Sequence, residues 1–485
     1  RQTGYVYDDL NRLTEVHQPL GASTYTTYDD AGNVTGVLDA EGNSTLYQYD
    51  ALNRNTHIIQ AATSQHSNPI SQIEYNDAGE VVKTTDPLLR ETETVYDNLG
   101  RVVQIILPDV RDPSAAPDDP NALLVTPTTV MEYDSVGNLR FLTDAQQHFD
   151  AQGSPLSSYE KWEYQYDDLD RRVAELAPQA THVDSDGNSV VERATTNYLF
   201  DAAGQLREVQ DPLKVVVTPA GNVGRQTNYE YDAQGRVVSV EAPIDQLGGR
   251  PKTVYHYDAV GNVDREEVSV TSTFTQTTDY TYDNLNRLVR TIEEDPDPTK
   301  EDYDGPDTPI TYFVYDIVGR LTDTIDALKR KTSFGYDDLD RQTSVTLPAL
   351  DGVLYTQETQ YDKLGNVTAT KDTKNRWTNY DLDELYRVIE ITAPAAEHFN
   401  PLTGTTVTGN QSVQVVYDEA GRALQQSDAI DGAIYRTTDF QYDDLDRLTQ
   451  VELPTAQHFD GPARAKYFYT YDLAGNQLSQ TDPLG

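Results

Sequence analysis

The sequence predicts an all-β fold built as one continuous array of antiparallel β-hairpins. Three observations predict it. An aromatic-Asp step, usually Tyr-Asp, recurs eighteen times along the 485 residues, counting substituted copies. The residue three positions after the Asp is Gly, Asn or Asp in seventeen of them. Aromatic residues also precede the step at a spacing of two, as at Tyr47 and Tyr49. Successive Asp positions lie 21 to 37 residues apart, and 21 recurs five times. An internal period of that size marks one supersecondary unit copied many times, not an ordinary globular enzyme domain.

The step is carried by Tyr7-Asp8, Tyr28-Asp29, Tyr49-Asp50, Tyr96-Asp97, Tyr133-Asp134, Tyr166-Asp167, Tyr231-Asp232 and Tyr257-Asp258. It continues through Tyr282-Asp283, Tyr315-Asp316, Tyr336-Asp337, Tyr361-Asp362, Tyr417-Asp418, Tyr442-Asp443 and Tyr471-Asp472. Asn76 takes the Asp slot once, and at Tyr380-Asp381 the dipeptide is out of phase: Leu382-Asp383 restores the spacing of 21 from Asp362. The third position is Gly32, Gly79, Gly100, Gly137, Gly204, Gly235, Gly261, Gly319, Gly365, Gly421 and Gly475. It is Asn at Asn11, Asn53 and Asn286, Asp at Asp170, Asp340 and Asp446, and Tyr only at Tyr386. Gly, Asn and Asp tolerate positive φ, so this column predicts a left-handed turn residue. The Asp side chain can bond its own backbone two residues on and start that turn. Arg or Asn usually follows, then Leu or Val, as at Leu13, Val34 and Val102. A spacing of two places Tyr47 and Tyr49, or Tyr229 and Tyr231, on one face of a strand, and each copy reads as a hairpin with a short turn.

A second turn lies half a repeat earlier. Asp39, Asp86, Asp326 and Asp372 each open a five-residue word 11 residues before the next repeat Asp. Two turns per period leave strands of about six residues. The longer repeats carry insertions at this second turn, near 108–126, 148–158, 178–193, 243–250, 293–309, 395–411 and 456–464. Rich in Pro, Gly, Asp and Ser, these are expected to be surface loops. Three share a word: Gln147-His148-Phe149-Asp150, Glu397-His398-Phe399-Asn400 and Gln457-His458-Phe459-Asp460. They read as related loops that tuck one Phe down, or as a recurring binding element.

Composition limits the chemistry. With no Cys there is no disulfide framework, thiolate metal site or cysteine nucleophile. Thirty-three Tyr against ten Phe suit half-buried sheet faces. No apolar run is long enough to span a membrane. The net charge of −43 disfavours nucleic acid and anionic membranes and favours cations or basic partners. Asp outnumbers Glu and Lys is scarce, which fits turn usage and surface solubility, or a high-salt or calcium-rich habitat. No nucleophile elbow, zincin helix, phosphate loop or dinucleotide fingerprint occurs, so no catalytic residue and no cofactor are expected. Asp184-Ser185-Asp186-Gly187-Asn188 offers weak calcium candidates in Asp184, Asp186 and Asn188. It lacks EF-hand spacing, and a hairpin tip of this composition needs no metal.

Tyr-Asp-x-x-Gly-Arg/Asn-hydrophobic, copied every 20 to 40 residues, resembles the RHS/YD-repeat proteins, and the resemblance covers essentially the whole chain. Members include bacterial polymorphic toxins, shell components of insecticidal toxin complexes and the animal teneurins. The resemblance implies a strip of hairpins that spirals into a hollow shell or tube and, in the toxins, encloses a C-terminal effector. Asp482-Pro483-Leu484-Gly485 matches most of a family self-cleavage signature, but Asp86-Pro87-Leu88 and Asp211-Pro212-Leu213 repeat its words at what read as ordinary second turns. A single array over 1–485, cut from a longer chain, is expected; its uncapped edges would pair with further repeats or with another copy. The leading functional expectation is a non-enzymatic shell or scaffold of a secreted or surface protein, possibly holding a toxin. The alternative is an extracellular adhesin or fibre segment that binds glycans or neighbouring cells through the inserted loops. A cargo domain beyond a self-cleavage site would favour the first, and a repeat run that simply continues would favour the second.

Overall fold

The computed structural model describes residues 2–112, 123–144, 161–183, 189–218, 221–243, 250–271, 274–293, 309–400, 405–430, 433–454 and 464–483. Thirty-six strands form one sheet. Each strand of this sheet pairs antiparallel with the sheet's next strand in chain order, from Gly4–Tyr7 with Leu13–His17 to Lys466–Tyr471 with Gln477–Thr481. The only helical element among the described residues is a 3-10 turn at Pro19–Gly21.

One rung shows how the repeat folds. Ser44–Tyr49 runs out, Asp50 to Arg54 turn, and Asn55–Ile59 returns with Tyr49 opposite Asn55. Along Ser44–Tyr49, Tyr47 and Tyr49 are half-buried while Leu46 and Gln48 are exposed. The Asn53 N–H bonds to the Asp50 carbonyl and the Asp50 N–H to the Arg54 carbonyl, both at 3.0 Å. This is a three-residue hairpin loop, a type I turn followed by a left-handed bulge residue. All eighteen residues of the third column have positive φ, from 58° at Asp170 to 107° at Gly137, Tyr386 among them at 63°.

The second turns adopt the same geometry. Asp39, Asp86, Asp326 and Asp372 each accept from the N–H three residues on and donate to the carbonyl four residues on. Their left-handed residues are Gly42, Leu89, Lys329 and Asn375.

The insertions depart from expectation. Residues 178–183 and 189–193 extend the strands Arg172–Val183 and Ser189–Phe200, which remain paired out to Val183 with Ser189. Extra residues at a hairpin tip can lengthen the ladder and satisfy one another's backbone groups, and that outweighs loop composition. The segment 395–411 likewise contains a separate hairpin, Ala396–Asn400 with Thr405–Gly409. Within 108–126, Val110–Arg111 pairs with Leu124–Val125. Asp211-Pro212-Leu213 is not a second turn either. It lies inside the strand Leu206–Thr218, in the register shift between Gln210 and Val215. Proline cannot donate to the ladder, so Pro178, Pro212 and Pro348 all sit where the pairing skips. Where the repeat spacing is 25, both strands lengthen instead, as in Gln342–Leu350 with Val353–Tyr361. There Asp351 and Gly352, with φ of 50° and 79°, close a two-residue turn.

The sheet is a single layer. Only Ala22, Pro69, Val110, Pro127, Ala174, Ile292, Ala369 and Ala429 are buried apolar side chains among those described. The accessible surface is 29224 Å², against roughly 18,000 Å² for a compact chain of this mass. The strip instead closes on itself edge to edge. Lys363 donates its N–H to Glu41 at 2.8 Å and its ammonium to the Ala40 carbonyl at 3.2 Å. Tyr386 donates to Asp39 and accepts from Asn43. Gln65 bridges the Tyr417 N–H and the Val415 carbonyl, and Arg90 pairs with Asp446 at 2.5 Å. The edge that carries second turns early in the chain thus meets the edge that carries repeat turns 322 to 356 residues later. One turn of a coil lies between them.

Candidate functional site

The feature with a repeated, conserved geometry along the chain is the turn itself, an Asp-Arg-Tyr cassette. Asp8 shows the first part. Its Oδ1 accepts the N–H groups of Leu10 and Arg12, and its Oδ2 pairs with Arg12 Nε at 2.7 Å. The Arg12 backbone N–H therefore holds the Asp8 carboxyl below its ordinary value, helped by the Arg12 and Leu10 bonds and against desolvation. Asp50 is lowered chiefly by the Arg54 backbone N–H, and Asp97 chiefly by the Arg101 side chain.

The Arg then reaches forward. Each of the eleven arginines in the column four after the Asp lies over the aromatic ring of the next repeat, 4.2 to 5.1 Å from its centroid. In eight cases its Nη1 also donates to the backbone carbonyl of the next Asp or Asn, as from Arg422 to Asp443 at 3.0 Å.

The Tyr reaches back. Fifteen repeat tyrosines donate their hydroxyls to the first strand carbonyl after the previous turn, at 2.6 to 3.0 Å. The exceptions are Tyr7, at the first turn, and the Phe200 and Leu382 variants, which have no hydroxyl to give. Asp locks the turn, Arg clamps the following rung and Tyr ties to the preceding one. That division of labour explains why the column is Tyr and not Phe.

A rule joins neighbouring repeats. At three of the five Asn in the Arg column, the Asn contacts the side chain of the next left-handed residue: Asn33 with Asn53, Asn138 with Asp170 and Asn262 with Asn286, at 2.9 to 3.2 Å. Where the column holds Arg, the next residue is usually Gly, because the guanidinium lies beneath it. A Cβ on Gly204 would sit 3.3 Å from Arg171 Nη1.

The calcium candidates Asp184, Asp186 and Asn188 lie outside the described residues, and among the described residues no group of His, Asp or Glu could hold a metal. Of the His-Phe words, 147–150 and 457–460 lie outside as well, whereas Glu397 to Asn400 are in the strand Ala396–Asn400. The self-cleavage reading at Asp482 loses Leu484 and Gly485 to the same boundary. Sequence reasoning missed the seam residues Asp39, Asn43, Gln65 and Arg90. A signal existed for two of them: Asp39 and Asn43 repeat the Asp-x-x-Gly-Asn word of the cassette at a second turn.

The RHS Repeat profile matches residues 28–65 and 417–457, and the Teneurin YD-shell profile matches 213–348. The chain is an RHS/YD-repeat protein. No curated protein matches it significantly in sequence. Among solved structures, this RHS/YD-repeat chain aligns with the crystal structure of TcdB2-TccC3-Cdc42 at 14% identity and a TM-score of 0.46, covering 99% of this chain and 28% of that one. It aligns with TcdB2-TccC3-TEV at 14% identity and a TM-score of 0.41, covering 98% and 30%. A Tc holotoxin pore structure from Photorhabdus luminescens aligns at 14% identity and a TM-score of 0.37, covering 99% and 29%. The RHS/YD-repeat chain spans about a third or less of the length of these solved chains.

Proposed function

We propose that residues 1–485 form one continuous array that serves as the wall of a hollow shell, a structural and non-enzymatic scaffold of a secreted or surface RHS protein. The edge-to-edge seam carries this reading. Hydrogen bonds from 39–43 to 363 and 386, and from Arg90 to Asp446, turn a single-layer strip into a coil with an inside. A wall needs surfaces that do not collapse onto each other. The charge of −43 and the scarcity of buried apolar residues support that. The lumen is the place for an enclosed effector polypeptide, the role that the family resemblance implies.

The chain has no native cysteine, so introduced pairs report cleanly. Ala40→Cys with Lys363→Cys should cross-link through a short bismaleimide, whereas Ala40→Cys with Val260→Cys should not. An open strip would cross-link neither pair, and that result would remove the shell reading.

A further inference from the structure

We propose that the turn pair 76–80 and 97–101 is a receptor for the guanidinium of an arginine presented by a partner polypeptide. The argument rests on one broken copy of the cassette. The Arg column holds an acid only at Glu80, and in the same turn Asn76 replaces the Asp. The turn itself survives, because Asn76 Oδ1 accepts the Ala78 and Glu80 N–H groups at 3.0 Å. What is lost is the forward clamp.

Everything that an arginine would meet is still in place. The Tyr96 hydroxyl donates to the Val81 carbonyl at 2.9 Å, so its ring is held as in the other repeats. No cation lies over that ring among the described residues, as is also the case at Tyr49, Tyr166, Tyr231 and Tyr282, where Asn or Gln fills the preceding slot, while eleven homologous rings each carry one; Tyr96 alone follows an acid. The Asp97 carbonyl accepts the Gly100 N–H, but the second donor that Arg422 gives to Asp443 has no counterpart. Glu80 stands in the vacated slot. A Cβ on Gly100 would lie 2.7 Å from Glu80 Oε1, where Arg101 Nη1 lies 3.8 Å from the equivalent point on Gly137.

A carboxylate in the slot that elsewhere holds a guanidinium can neither stack as a cation on the ring nor donate to the carbonyl. Asn76 Nδ2 satisfies Oε2 at 2.7 Å, and no described residue donates to Oε1. Beside it opens a cavity of about 740 Å³, lined among others by Glu74, Glu93 and Asp97. Its one lining cation, Lys83, is engaged by Glu91 at 2.7 Å. A guanidinium entering here stacks on Tyr96, pairs with Glu80 and donates to the Asp97 carbonyl. Those are the contacts the chain makes internally with its own arginines, with the acid now supplied by the receptor. Arginine fits better than lysine because the site asks for a planar cation that stacks and donates in two directions at once.

The test titrates N-acetyl-arginine amide, and separately N-acetyl-lysine amide, into the full chain by calorimetry. The wild type should bind the arginine compound saturably and the lysine compound at least tenfold more weakly. Glu80→Arg, which rebuilds the standard cassette and fills its own slot, should bind at least tenfold more weakly. Asp168→Arg, an exposed turn residue with the same charge change, should bind as the wild type does. Circular dichroism checks the fold, and Glu80→Gln, which keeps the shape and removes the charge, serves if Glu80→Arg does not fold. Absence of saturable binding, equal binding by both compounds, or equal loss in Asp168→Arg would each overturn the proposal.

Discussion

At the scale of single residues, the left-handed column and the tyrosine hydroxyl have separable energetics. Gly319 has φ of 98°, and a Cβ there would contact Arg287 Nη1 at 3.6 Å, so space is available and backbone strain decides. Gly319→Val should lose about 1–2 kcal/mol, and Gly319→Asn clearly less, since Asn11, Asn53 and Asn286 already sit left-handed at 59° to 62°. Equal losses in denaturant melts would contradict this. Tyr336→Phe removes only the hydroxyl that reaches the Leu321 carbonyl at 2.7 Å. It should lose about 0.5–1.5 kcal/mol, visible as faster amide exchange in the strands Leu321–Ile325 and Lys331–Tyr336. Tyr386 was the one column member that the turn chemistry did not foresee, and the seam supplies its reason. Its hydroxyl bonds to Asp39 and Asn43, and burial with the Asp39 bond raises its pKa.

At the scale of the rung, the cassette couples each turn to its neighbour through charge. Arg422→Lys keeps the charge but loses the planar stack over Tyr442 and the fork between Asp418 and the Asp443 carbonyl. It should lose about 1–2 kcal/mol locally, read as exchange in the strand Ala433–Tyr442. The acidic turn residues also set a pH dependence. At Asp8, Asp50 and Asp97 the folded pKa lies below the ordinary 3.8. The stabilisation is therefore complete above about pH 4 and is lost as pH falls through the folded values. Unfolding midpoints should hold steady at neutral pH and drop below about pH 4; a midpoint that rises on acidification would contradict the assignment.

At the scale of the molecule, hydrogen bonds and an ion pair cross the seam. Arg90 supplies that ion pair. Its bonds to Asp446 and Asp86 outweigh desolvation and raise its pKa. Arg90→Ala should raise amide exchange at both 86–90 and 443–447, positions more than 350 residues apart in sequence, while leaving the turn at 258–262 unchanged. A response at 86–90 alone would mean that the coil does not close there. Salt should have a similar but smaller effect, since the Arg90 pair is only partly screened from water.

The sequence alone determined the rung. The eighteen turns, their left-handed residue and the Tyr face all follow from short-range chemistry, because each depends on residues within about seven positions of one another. The same locality hid the cassette's forward and backward reach. Nothing in Arg12 or Tyr28 taken singly says that one stacks on the other, although the period made the pairing available in principle. Hairpin extension at 178–183 and 189–193 was hidden for a different reason. Loop-like composition and ladder growth compete, and only the paired strand opposite decides which one wins. Tertiary structure alone decided the coil. Where Asp39 or Arg90 meets its partner depends on twist accumulated over every intervening rung, a sum to which each residue adds little and which no single word records.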